Sequence, residues 1–299
     1  NDTANVNGSI EVGAGDISIT SQTVNFVDGT LETTGDVTLT TSGSILDNDT
    51  TDGDDIIAAS LTAVISGTGT FGSSGNSLDT SVASLSVDTS ANDGNQFIDE
   101  TNGLTRLRLL AGQGNVTLDA GGSIADTDAG VDITATTATV SLTVGTFGSG
   151  ANPIETTVTN LNVTTVDENQ FIEETNGLSS LSLDAGAGNI ELTTGGAIAD
   201  SDGAVDITAT DATITIDGAG SFGSSGSAVD TNVSTLTVDT SANDGNQFID
   251  EMDGLNGLNL DAGSGNVTLE ASGAVADADA LVDITGTMVT VNVNALGAF

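Results

Sequence analysis

The eight phenylalanines of this chain lie in two interleaved series that run its full length. Phe71, Phe147, Phe222 and Phe299 are separated by steps of 76, 75 and 77 residues, and Phe26, Phe97, Phe171 and Phe248 by steps of 71, 74 and 77. Copied structural units space their aromatics in this way, whereas a single globular core has no reason to. The neighbouring text repeats with them. Asn95-Gln96-Phe97-Ile98-Asp99-Glu100 returns as 169–174 and 246–251, and Gly114-Asn115-Val116-Thr117-Leu118 returns at 188–192 and 265–269. Four copies are expected, at approximately 1–71, 72–147, 148–222 and 223–299. The first is the most diverged, with an acidic insertion around Asp47 to Asp55.

Within a copy the dominant period is two. Ala138, Val140, Leu142 and Val144 alternate with Thr139, Ser141 and Thr143, while Val131 and Ile133 flank Asp132. Such alternation marks strands with one buried face, and Val, Ile and Thr suit that conformation. Stretches such as Asp119-Ala120-Gly121-Gly122-Ser123 supply turn chemistry between them. The chain is therefore expected to be all-β. Three sub-units of ~25 residues per copy predict a right-handed parallel β-solenoid of about twelve coils, in four superrepeats of three coils. A β-sandwich array would need units of ~100 residues. The core is expected to hold Phe71, Phe97, Phe147, Phe171, Phe222 and Phe248, so that Phe171→Ala should cost ~3–5 kcal/mol.

Charge sets the next limit. With 43 acids against two arginines and no lysine or histidine, the net charge is −41. On the expected rod of about 58 Å this is close to, and slightly above, the line charge of duplex DNA. Nucleic acid is excluded as a partner, because no basic surface exists to meet phosphates. Identical acidic slots should recur once per three coils, ~14 Å apart, beyond the ~8 Å screening length at physiological salt. Arg106 and Arg108 are expected to neutralise nearby acids. No cysteine is present, so disulfides and thiolate metal sites are excluded. No apolar run is long enough to span a membrane as a helix. The chain starts and stops in mid-pattern, as an excerpt of a longer repeat protein would.

The most site-like element is an acidic turn that carries Asp126 and Asp128, Asp200 and Asp202, and Asp277 and Asp279 in successive copies; the first copy has Asp47 and Asp49. Paired carboxylates in a turn are suitable oxygen ligands for Ca2+. The alternative is a solvated turn in which each Asp bonds its own backbone. No other cofactor is indicated. Asp99 and Glu100 could form a catalytic carboxylate pair, but copying the pair three times argues against a single active site, and no enzyme is expected. Thr-x-Thr pairs such as Thr134/Thr136 suggest strand propensity rather than an ice-binding array.

Gly114-Asn115-Val116-Thr117-Leu118-Asp119-Ala120-Gly121-Gly122-Ser123-Ile124-Ala125-Asp126 and Phe147-Gly148-Ser149 resemble the repeats of giant bacterial surface proteins of the filamentous-haemagglutinin type. The resemblance implies a right-handed parallel β-helix shaft, export across the outer membrane, and adhesion. Expected partners are further coils or copies of the same protein end to end. Host or neighbouring-cell glycans or proteins would be met through regions outside this chain. The expected role is a stiff, acidic, extracellular spacer, with a self-assembling filament subunit or a calcium-binding repeat module as alternatives.

Overall fold

A computed structural model describes residues 2–49, 53–276 and 280–294. The chain is an all-β, right-handed parallel β-solenoid of about 13 turns. It divides into two compact units, Asn1–Glu155 and Thr156–Phe299. Every extended strand pairing among the described residues is parallel, and each strand meets the strand one turn later. Parallel partners require a crossover rather than a hairpin, and right-twisted strands feed that crossover with one hand. The helical content among the described residues is two single 3-10 turns, Ser90–Asn92 and Ser241–Asn243.

In the first unit, Val24, Ile45, Phe71, Gln96, Val116 and Ala138 stack in one column. One turn takes as few as 20 residues, from Gln96 to Val116, and as many as 26, from Ile45 to Phe71. A turn holds three inward-facing segments; from Gln96 they pass through Leu104 and Leu107 before returning at Val116. Phe147 lies in a different column, above Ile124 and Leu104. From Phe71 the inward segments are those of Leu78, Leu85, Gln96, Leu104, Leu107, Val116, Ile124, Ile133 and Ala138, and Phe147 is the tenth. Ten segments at three per turn make three and one-third turns. A copy therefore ends one face further round than it began.

The second unit behaves alike. Gln170, Ile190, Ala212, Leu236 and Leu258 form one column, while Phe222, Gln247, Val267 and Val289 form another. The equivalent residues Gln170 and Gln247 thus stand on different faces. Like-charged slots of adjacent copies are consequently separated around the axis as well as along it, which lowers repulsion further than the expected stacking on one face.

The interior is aliphatic, and Phe26, Phe71, Phe147 and Phe222 are fully buried within it. Phe97, Phe171 and Phe248 are not core residues, contrary to expectation; each is half-buried on the outer side of its strand. The reason is the pleat. Gln96, Ile98 and Glu100 are buried at 0%, so the intervening Phe97 must point the other way. The Val131-Asp132-Ile133 run also breaks the expected phase, since Asp132 is 2% exposed and Val131 38%. Phe26 stacks between Val6 and Asp47, a slot unrelated to that of Phe97. Phe299 lies outside the described residues.

The Phe-Gly-Ser signature marks a corner. Gly72 has φ +69°, and a Cβ there would stand 2.3 Å from the Phe97 carbonyl oxygen of the next turn. Only glycine fits that approach. Gly148 and Gly223 repeat the conformation at φ +75° and +70°. Corners are also tied from turn to turn by side chains. Asp93 adopts a left-handed φ of 55°, and its Oδ1 accepts from the Gln113 N–H at 2.8 Å. Asn95 Oδ1 likewise accepts from the Asn115 N–H at 2.8 Å. Both bonds recur at Asp167/Ala187 with Asn169/Asn189, and at Asp244/Ser264 with Asn246/Asn266.

Candidate metal centre

Carboxylates enter the solenoid wall in two recurring arrangements. The first joins the acidic turn to residues that follow it. Asp126 lies with Asp132 and Glu155, Asp200 with Asp206 and Asp230, and Asp47 with Asp55 and Asp79; in each group one oxygen from every residue falls within 4.8 Å of the others. The turn presents the first aspartate, the start of the next strand presents the second, and the strand one turn later presents the third. Backbone pairing fixes the last step, because the Asp132 N–H donates to the Glu155 carbonyl at 2.8 Å and the Glu155 N–H donates to Asp132 Oδ2 at 3.0 Å. Asp206 and Asp230 repeat both bonds at 2.8 and 2.9 Å.

Sequence reasoning paired Asp126 with Asp128 at one site and Asp200 with Asp202 at the equivalent site of the next copy. The structure brings Asp126 and Asp200 into the clusters and leaves Asp128 and Asp202 exposed outside them. The paired spacing has a local cause. Asp126 accepts from the Asp128 N–H at 3.0 Å, and Asp128 accepts from the Gly130 N–H at 2.8 Å, two successive Asx turns. Asp200 and Asp202 form the same pair of turns. Asp277 and Asp279 lie outside the described residues. Asp132, Asp206 and Asp55 were missed because each precedes an isoleucine and reads as an outward strand position. Their recurrence at the Phe period was the available signal.

Electrostatics sets what these clusters can do. Burial, followed by the bond from Glu155 and the charge of Asp126, leaves the Asp132 carboxyl at about 8. Burial and then the neighbouring Asp47 charge push Asp55 up to about 8. Burial raises Asp206 to about 7, with the charges of Asp200, Asp230 and Asp202 adding to it. Burial, then the Asp250 charge, also raises Asp230. No basic side chain lines a cluster; the one ion pair among the described residues is Arg106 to Asp128, 2.9 Å, on the surface. Each cluster must therefore be relieved by protons or by a cation. Its donors are all hard oxygens, which fits Ca2+ or Mg2+ and not a thiolate- or imidazole-seeking metal.

The second arrangement is internal. Glu100, Glu174 and Glu251 are 0–1% exposed. Thr80 donates to Glu100 at 2.7 Å, Thr156 to Glu174 at 2.7 Å and Thr231 to Glu251 at 2.6 Å. The same carboxylates accept from the backbone N–H groups of Val82, Val158 and Val233. Each glutamate thus closes a backbone donor at a corner where the strand ladder is interrupted. Burial raises all three, Glu100 and Glu251 to about 7. Beside them Gln96, Gln170 and Gln247 are fully buried, their amide nitrogens donating to Thr89, Thr165 and Thr240.

Asp99 and Glu100 do not form the conceivable carboxylate pair. Glu100 points inward and Asp99 is exposed on the opposite face of the strand. No helix among the described residues is long and apolar enough to cross a membrane. No family model, curated protein or solved structure matches the chain.

Proposed function

We propose that this chain is shaft: a stiff, acid-coated spacer from a bacterial extracellular fibre or adhesin of the filamentous-haemagglutinin type, without catalytic work of its own. The observation that carries the reading is the parallel ladder over an aliphatic core among the described residues of each unit, built from copies that advance one face at a time. Such a wall resists bending because deforming it breaks backbone hydrogen bonds in register. Further coils, in the same chain or another copy, are the natural end-on partners. The last described strand, Met288–Val293, leaves Val289, Val291 and Val293 exposed at 44, 40 and 47%. Electron microscopy of the native material on its producing cells tests the reading. Thin surface fibres labelled along their length by an antibody to this chain are expected. Label confined to the cell interior would overturn it.

A second reading, a cation-binding repeat module, is favoured by the three copies of the three-carboxylate cluster. Its test is thermal unfolding in CaCl2 against NaCl at equal ionic strength. A rise in Tm with Ca2+ alone, lost when Asp55, Asp132 and Asp206 are all changed to Asn, is expected. An equal response to both salts would leave only counter-ion screening.

A further inference from the structure

The two cations of the chain converge on one groove. Arg106 and Arg108 lie on the strand Arg106–Leu110, two residues apart, and so point to the same outer face. That strand follows Leu78–Asp88 and, one turn earlier, Ile56–Ile65, with Arg106 in register with Ser84 and Ser60, and Arg108 with Ser86 and Thr62. The result is a groove of about 260 Å³ lined by Ser60, Thr62, Ser84, Ser86, Arg106 and Arg108, with Leu85 completing its wall. Four hydroxyls and two guanidinium groups thus face one hollow, on a chain whose formal charge is −41. No carboxylate lines it. Asp36 stands at its edge, where it accepts from Ser60 at 2.7 Å. Arg106 is held from the far side by Asp128 at 2.9 Å, and Arg108 makes no ion pair with a described residue.

We infer that this groove binds the carboxylate of a small, singly charged ligand such as a uronic acid. The guanidinium fork matches a planar carboxylate, and the serine and threonine hydroxyls can bond either the second oxygen or a neighbouring sugar hydroxyl. Size points the same way, because a hollow below ~300 Å³ is small for a drug-sized ligand and suits one ring or less. Charge narrows the class further. A polyanion would meet the repulsion of the whole chain, whereas a monoanion meets that field with one charge. The occurrence of both arginines in a single copy, with Ser180 and Ser182 in their place in the next, makes the groove a singular site rather than a repeated one.

The chain offers a direct readout, because two arginines give two Nε–H resonances. Titration of the 15N-labelled protein with glucuronate is expected to move both signals together along one saturable, millimolar curve, the strength of exposed guanidinium–carboxylate contacts. Neutral glucose should leave them in place, and sulfate should move them without saturating over the same range. Arg108→Gln should weaken binding about fivefold or more, with the remaining Arg106 signal reporting it. Unchanged far-UV circular dichroism and Tm would confirm that this exposed substitution leaves the fold intact. A linear, unsaturable drift with glucuronate would overturn the proposal. So would equal saturation by sulfate, or a curve unaltered in Arg108→Gln.

Discussion

Phe71 stacks on Gln96, so Phe97 stands one strand position out of phase with the buried column, and that step decides what each phenylalanine contributes. Phe147 is fully buried, so Phe147→Ala should lower unfolding free energy by ~3–5 kcal/mol in denaturant melts. Phe171, half outside, should lose no more than ~1 kcal/mol on the same substitution. Equal losses would contradict the strand phase described above. Titration follows from burial in the same manner. Asp55 and Asp132 reach about 8, and Asp206, Glu100 and Glu251 about 7, against 3.8 and 4.5 in unfolded chain. The folded state therefore holds more protons than the unfolded state between those limits, and stability must fall as pH rises through them. The contribution is fully present below about pH 4, declines above it, and is gone above about 8. Urea midpoints measured in metal-free buffer from pH 5 to 9 should drop steadily. A rise over that range would show that these carboxyls ionise freely in the folded protein.

At the scale of the element, corners rather than strands carry the unusual chemistry. A strand needs only its ladder and an inward aliphatic row; a corner strands backbone donors that something must satisfy. Glu174 does this for the Val158 N–H and for Asn176, each at 3.1 Å. Glu174→Gln preserves an acceptor and should hold stability while flattening part of the pH dependence. Glu174→Leu leaves the donors unpaired and should cost ~1–3 kcal/mol, read from the same urea midpoints. A leucine variant as stable as wild type would mean that water serves the corner equally well. The strands were legible in the sequence because alternation of Val, Leu and Ile with Thr and Ser has one interpretation. The corner residues were not. Gln96, Glu100 and Asp132 look like solvent-facing members of the same alternation, and only the stacking of one turn on the next turns them inward. The carboxylate clusters were half legible for the same reason. Asp126 sits in a visible turn motif, but Asp132 and Glu155 join it through a pairing 23 residues apart, which local periodicity does not encode.

Across the molecule, the 75-residue period and the turn of the solenoid are deliberately out of step in their consequences. Three segments close a turn, ten close a copy, and so each copy hands the chain on to the neighbouring face. Charge benefits. With 43 acids in the chain, stacking equivalent clusters on one face would concentrate them in a stripe, whereas in the first unit Asp47 and Asp126 follow columns that do not coincide. The scheme makes a specific demand on deletions. Removing residues 72–147 joins Phe71 to Gly148 and takes out ten segments whole, so every later strand still finds a partner of the right kind, one face round. That variant should express as folded, β-rich protein with a single unfolding transition. Removing only 72–96 takes out the Gly-Ser of the Phe-Gly-Ser corner and the long strand Leu78–Asp88 without restoring the order of the copy, and leaves Glu100 without its partner Thr80. It should aggregate or melt at far lower temperature, as circular dichroism and sedimentation would report. Equal tolerance of both deletions would mean that any whole turn is interchangeable and that the ten-segment copy is a record of duplication alone.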